Sequence, residues 1–317
     1  MNLQQIKCVV AIVRHGLNVS DAAQSLFTSQ PGVSHHIRTL EDELGIKIFV
    51  RRGKRLVGLT GMGQEMLAVA ERIVLDTENL RRLAKESQNA ACGDLVVATT
   101  HAQAYQALPT VVKGFLARHP GIRLSLQPCA PIEAAELVRR GEAHLCISTE
   151  VVGSFSDLVM LAGKKWSRCV ITPAKHPLLK EGRLKLSSIA KYPLVTYDFS
   201  FWKHSKMRDA FEAEGLNPTV ALTSTDPGII KTYVASGLGI GLVGSMAFDA
   251  RKDTNLRMLD ASHLFASSIT TIGIHRNTYI EGYLYDFIEM FLPGMGRAEV
   301  DAVISKQNGR LHTRRHQ

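Results

Sequence analysis

From Met62 to Leu83, apolar side chains return every three or four residues: Met62, Met66, Val69, Ile73, Leu80 and Leu83, with Thr77 in the same phase. That spacing is one stripe of an α-helix, and neither Gly nor Pro falls between Gln64 and Ser87 to break it. At 1.5 Å per residue the helix is about 40 Å long. The segment before it, residues 1–60, is too short to cover such a stripe. The spacing therefore predicts a seam with a second copy of the helix, as in a coiled coil; the alternative is packing within the same chain. The chain divides accordingly into a small N-terminal module over 1–60, a linker and dimerisation helix over 61–88, and a larger module from 89.

In the N-terminal module, Leu3, Ile6, Val10 and Val13 mark a first helix that ends at His15-Gly16. Ser20 is placed to cap a short second helix through Leu26. Thr28-Ser29-Gln30-Pro31 then interrupts the chain, and Pro31 suits the first turn of a third helix. On that helix Val33, Ile37, Leu40 and Leu44 share one stripe, while Pro31, Ser34, His35 and Arg38 face outward without an acid until Glu41. Three helices with a tight connection between the second and third form a helix-turn-helix, whose second element enters the major groove of DNA. Gln30 can pair with adenine, Arg38 with guanine or phosphate, and His35 can donate to either. A three-helix bundle with an ordinary polar surface is the competing reading. Against it, "IFVRRGKRLVGLT" (48–60) has the form of two strands around a turn carrying Arg51, Arg52, Lys54 and Arg55, suited to a wing that grips phosphates. Double-stranded DNA is the expected partner, through Ser29, Gln30, Pro31, Ser34, His35, Arg38, Arg51, Arg52 and Lys54, and readers of this build act as dimers on paired half-sites.

Charge agrees with an anionic partner. The net charge is +9, with eight Lys/Arg against four Asp/Glu in residues 1–60, and a basic tail from Gly294 to Gln317 holds five basic residues against two acids. The five cysteines (Cys8, Cys92, Cys129, Cys146, Cys169) form no CxxC pair and read as small buried hydrophobes in a reducing compartment. The N-terminus is amphipathic rather than a secretory leader, and no run of about 18 apolar residues occurs, so a cytoplasmic location without membrane insertion is expected.

Small polar residues over 86–94 mark a hinge, after which apolar runs alternate with helical segments: "DLVVATT", a helix over 107–118, "IRLSLQP", a helix over 131–140 and "AHLCIST". A second set begins with "RCVITP" and continues through "YPLVTY", "VALTST" and a helix over 227–236; "SITTIGIH" and "YIEGYLYDFIEMF" supply a last strand and helix. Such alternation implies an α/β fold with parallel strands. Two lobes are expected, the first near 93–162 with 268–293 and the second near 163–267, with a ligand cleft between them. At the strand ends, "TTHAQ" (99–103) and "STE" (148–150) place hydroxyls and amides where helices start, which suits a small anion; plain helix N-caps are the competing reading. Gly239-x-Gly241-x-x-Gly244 spells a dinucleotide fingerprint, but it follows a helix instead of opening one, so no cofactor is expected. No metal spacing among the twelve histidines, and no GxSxG, HExxH or P-loop, suggests an enzyme.

The run "AAQSLFTSQPGVSHHIRTLEDELGIKIFVRRGKRLVGLTGMGQEML" resembles the winged helix-turn-helix and linker helix of LysR-type transcriptional regulators. "ATTHAQAYQALPTVVKGF", "DLVML…W", "HPL", "YPLVTYDFSF", "TSTDPGIIKTYVASGLGIG" and "YLYDFIEMF" extend the likeness over nearly all of 1–292 and resemble the CysB branch, which controls sulfur assimilation. The resemblance implies a periplasmic-binding-protein-like effector domain over 89–293, a homotetramer, and an effector such as acetylserine, sulfate or a related sulfur metabolite. It implies a gene activator; a LysR-type regulator of an unrelated pathway is the alternative. The family's anion-site positions correspond to Thr100, Gln103 and Thr149, with His101, Ser148 and two departures alongside. Ala102 and Trp202 stand where Thr is usual, which removes two hydroxyls and points to a larger effector with an apolar part.

Overall fold

The computed structural model describes residues 1–53, 55–87, 92–149, 155–198 and 206–314. They form two units, Met1–Asn89 with Asn277–Tyr279, and Ala90–Arg276 with Ile280–Gln317.

In the first unit, α1 (Leu3–Arg14), α2 (Val19–Ser25) and α3 (Gln30–Leu44) precede a two-stranded antiparallel wing, β1 (Phe49–Arg52) and β2 (Arg55–Leu59), and a long helix α4 (Gly61–Ser87). Asn18, not Ser20, caps α2, its Oδ1 accepting the Ser20 and Asp21 N–H groups. An Asn two residues earlier reaches the free N–H groups of the first turn, whereas Ser20 is already inside the helix. Val33, Ile37 and Leu40 are fully buried against α1 and α2, as their spacing predicts, but Leu44 is 40% exposed and Glu41 is buried in its place. Leu44 belongs to the last turn, which ends at left-handed Gly45 beyond the core. The Glu41 carboxylate faces inward because it has partners there: its Oε1 accepts the N–H groups of Ile48 (2.9 Å) and Phe49 (3.2 Å), joining α3 to the wing.

Thr60 starts α4, its hydroxyl accepting the Gly63 N–H and donating to the Lys47 carbonyl. Gly63 permits close approach here, since a Cβ would lie 2.1 Å from the Ile48 carbonyl oxygen. The expected stripe splits along α4. Met66 and Ile73 pack partly on the N-terminal core with buried Ala70, whereas Met62, Val69, Leu80 and Leu83 remain exposed.

The second unit contains two five-stranded sheets. The first has the order β4-β3-β5-β12-β6, formed by β3 (Gly93–Thr99), β4 (Ile122–Pro128), β5 (Leu145–Thr149), β6 (Leu158–Trp166) and β12 (Ser268–His275). Helices α5 (His101–Gln106), α6 (Leu108–Arg118) and α7 (Pro131–Arg139) connect its parallel strands, and β12 runs antiparallel between β5 and β6. The second sheet has the order β11-β7-β10-β8-β9, from β7 (Arg168–Pro173), β8 (Leu194–Thr196), β9 (Val220–Thr223), β10 (Ile240–Gly244) and β11 (Leu256–Asp260). Its helices are α8 (Leu186–Ile189), α9 (Lys206–Ala213) and α10 (Pro227–Ala235). Both sheets are mixed, because β6, β7, β11 and β12 pair antiparallel while the chain passes from one lobe to the other. Strand β6 carries the first lobe to Trp166, past the expected edge at 162, since Ala162 and Trp166 pair with β12 in the first sheet.

After α11 (Gly282–Phe291), the segment expected as a basic tail forms a further helix, α12 (Arg297–Arg314). Val300 is buried in the first lobe's core with Val303 and Ile304 against it, and the Arg297 guanidinium lies 4.5 Å from the Tyr285 ring centroid. The dinucleotide-like glycines serve packing. A Cβ at Gly239 would strike the Pro193 carbonyl, and one at Gly241 would lie 2.3 Å from Ile171.

Candidate functional site

Two sets of exposed or unpaired polar groups stand out, one in each unit. In the first, Ser29 caps α3 by accepting the Gly32 N–H at 3.2 Å, and Pro31 occupies the first turn. Gln30, Pro31, His35 and Arg38 are exposed, Ser34 is half-buried, and the Gln30 amide donates to the Ser34 hydroxyl at 3.2 Å. A long polar side chain held by a neighbour in this way is preset for bidentate contact with a base edge. In the wing, Gly53 takes φ +63° at the turn and Arg52 stands opposite Arg55, so two cations share the tip. Lys54 lies outside the described residues. Arg51 differs from its neighbour: its guanidinium is 3.7 Å from the buried Glu41 carboxylate, which ties it to α3. Glu41 escapes sequence reading because an acid on a helix normally signals solvent.

In the second unit a cleft of about 510 Å³, partly open to solvent, is lined by residues of both lobes. Thr100, Ala102 and Thr149 are in its wall. Trp202 lies outside the described residues. Three other expected residues lie outside the cleft wall, two of them engaged elsewhere. The Gln103 amide is buried, donating to the Thr270 hydroxyl at 2.9 Å and to the Met246 sulfur at 3.3 Å. His101 Nδ1 lies 3.8 Å from the Asp226 carboxylate of the second lobe. Ser148 is fully buried within β5, and its hydroxyl has no hydrogen-bond partner among the described residues.

What marks the cleft as a candidate binding site is polarity without partners. Thr100 precedes α5, yet its side chain makes no capping bond. Its Oγ1 is buried with no hydrogen-bond partner among the described residues, and the same holds for the Trp166 Nε1. Unpaired buried donors are rare in folded proteins and call for an explanation outside the chain. The start of α7 at Ala130-Pro131 also reaches the wall without a side-chain cap, so its first-turn N–H groups add positive potential. Trp166 presents a flat ring, held on one side because a Cβ at Gly244 would lie 2.7 Å from it. The Arg168 guanidinium is 5.3 Å from the ring centroid. Burial, reinforced by the Glu133 carboxylate, pushes the Cys129 thiol up to about 11, so it lines the cleft as a neutral S–H. Tyr197, Asp198, Thr225, Gly244 and Met246 form the second lobe's wall. Sequence reading finds the hydroxyls of the first lobe and misses Trp166, whose strand ends in two exposed lysines and does not look apolar.

Residues 3–64 match the family described as bacterial regulatory helix-turn-helix protein, lysR family, and residues 88–296 match the LysR substrate binding domain. The chain belongs to the LysR family. It is 44% identical over 304 residues to the HTH-type transcriptional regulator SsuR of Burkholderia cenocepacia, covering 96% of this chain and 99% of the relative. To the regulator CysB of the same organism it is 39% identical, covering 96% and 97%. Among solved structures, the cofactor-binding domain of the Cbl transcriptional regulator superposes with a TM-score of 0.64 at 36% identity, over 68% of this chain and 94% of that one. This LysR protein is therefore a DNA-binding transcriptional regulator and not an enzyme, and the unpaired donors lie within residues 88–296, which match the LysR substrate binding domain. Among the described residues no helix is long and apolar enough to cross a membrane.

Proposed function

We propose that this LysR regulator is a cytoplasmic activator of sulfur-assimilation or organosulfur-utilisation genes, tuned by a small anionic sulfur metabolite held between its lobes. The observation that carries the effector reading is the pair of unpaired buried donors, Thr100 Oγ1 and Trp166 Nε1, at one cleft beside an uncapped helix start. Thr100 and Thr149 suit an anionic end, and the Trp166 ring suits a less polar part. Asp198 in the opposite wall disfavours a bare dianion and suits an ammonium. An amino-acid-like ester such as acetylserine meets all three requirements better than sulfate does.

The DNA face is assigned to Ser29, Gln30, Pro31, Ser34, His35 and Arg38 on α3, with Arg51 and Arg52 on the wing. Promoter half-sites are bound by a dimer joined through α4, where Met62, Val69, Leu80 and Leu83 offer an apolar stripe, and two dimers make the tetramer. The test is calorimetry of the full chain with sulfate, acetylserine and organosulfur compounds, followed by a mobility shift on the promoter region next to its own gene with and without each. Acetylserine or an organosulfur anion should bind and change the shift. If none binds while the protein still shifts the DNA, the sulfur reading is wrong and the effector belongs to another pathway.

A further inference from the structure

Phe27, in the turn between α2 and α3, is 98% exposed and takes a left-handed backbone, φ +52°. The turn dictates that backbone: the Thr28 N–H donates to the Ala23 carbonyl at 2.9 Å and the Phe27 N–H to that of Gln24 at 3.1 Å, closing α2 with paired bonds. Such a position accepts glycine or asparagine most easily, and any larger side chain there carries a steric penalty. The other non-glycine residue in this region among those described, Leu17, packs on the N-terminal core. Phe27 belongs to none of the core clusters. Its ring is thus unfavourable for the backbone and covers nothing among the described residues.

The place of the ring names its partner. It stands three residues before Gln30, at the start of the helix assigned above to the major groove. A phenyl ring has no hydrogen-bonding group and gains nothing from lying against a phosphate. The apolar group on the major-groove edge of a base pair is the thymine C5-methyl. Resting on the DNA-binding reading, we propose that Phe27 is a specificity-determining residue whose ring packs on the methyl of a thymine flanking the base read by Gln30.

The test uses the full chain and two duplexes of the promoter region next to its own gene, one natural and one with deoxyuridine replacing every thymidine. Phe27→Asn suits the left-handed backbone and removes the ring; Phe27→Leu keeps an apolar contact. The wild-type protein should bind the deoxyuridine duplex more weakly, by about fourfold for each methyl lost from the contact. Phe27→Asn should bind the natural duplex about tenfold more weakly than wild type and be less sensitive to deoxyuridine by the same factor as the methyl contact. Phe27→Leu should fall between, with melting temperatures of both variants no lower than wild type. Equal deoxyuridine sensitivity in wild type and Phe27→Asn, or undiminished affinity of Phe27→Asn, would overturn the assignment. If the wild-type protein shifts neither duplex, the DNA-binding face itself is misassigned and the proposal falls with it.

Discussion

Thr100→Val separates a ligand-binding role from a structural one because the two predict opposite signs for stability. The substitution keeps the β-branched shape and exchanges the hydroxyl for a methyl. A threonine before a helix normally contributes through its cap, and losing the cap costs about 1 kcal/mol. Here there is no such bond to lose, and the buried Oγ1 has no partner among the described residues. Removing an unsatisfied buried hydroxyl relieves a desolvation penalty of about 1–3 kcal/mol. The ligand-free protein should therefore melt at the wild-type temperature or about 2–4 °C above it. Effector binding should move the other way. A hydrogen bond to a charged group is worth about 1.5–3 kcal/mol, so affinity should fall roughly ten- to hundredfold. A thermal scan without ligand and calorimetry with acetylserine and with sulfate measure both quantities on the same sample. A melting temperature lowered by several degrees with unchanged affinity would refute the reasoning, because the hydroxyl would then serve the fold.

Glu41→Ala should leave the Ile48 and Phe49 N–H groups without their acceptor, at about 1–3 kcal/mol each, and loosen the wing. Hydrogen exchange should show both amides losing protection, while Glu41→Gln, which keeps an acceptor, should lose less. Leu80→Lys should give smaller particles in sedimentation and abolish binding to paired half-sites, because it puts an unpaired charge in the α4 seam; an unchanged oligomer would show that the stripe has no such partner. Gly244→Ala should push the Trp166 ring into the cleft, because the added Cβ would lie 2.7 Å from it, quenching or shifting tryptophan fluorescence and weakening effector binding while leaving operator binding without effector intact.

The strands legible in the sequence include two buried on both faces and the edge strands β4 and β9. Residues 145–149 and 168–173 are apolar runs because helices or the other strands cover both sides, and they fold as β5 and β7. The other two edge strands are harder to see. In β11 only Leu256 is fully buried, and β6 changes from apolar to Lys164-Lys165 where its far end leaves the core. Their pairing with β7 and β12 is set by tertiary contacts, which a local pattern does not contain. Similarly, the composition of residues 294–317 reads as a basic tail, yet buried Val300, with Val303 and Ile304 packed partly beside it, docks α12 on the first lobe's core. On α3, periodicity places Val33, Ile37 and Leu40 correctly but cannot weigh Leu44 against Glu41, because the deciding partners are backbone N–H groups seven and eight residues away.

The two sites differ in legibility for a physical reason. Gln30, Ser34, His35 and Arg38 lie on one helix, so spacing alone groups them. The cleft is assembled from strand ends in both lobes, and Thr100 and Trp166 meet only after β3 and β6 take their places in one sheet with β5 and β12 between them. Hydroxyls at strand-to-helix junctions can be seen in sequence, but whether each is a cap or a ligand group depends on where its hydrogen bond goes. Gln103 and Thr100 show the distinction: both are polar, both sit at the same junction, and Gln103 is satisfied by Thr270 whereas the Thr100 hydroxyl is not. Among the described residues the Ser148 hydroxyl is also buried without a partner, but only Thr100 combines an open hydroxyl with a place in the cleft wall, and that is the strongest reason to propose the effector's anionic end at Thr100.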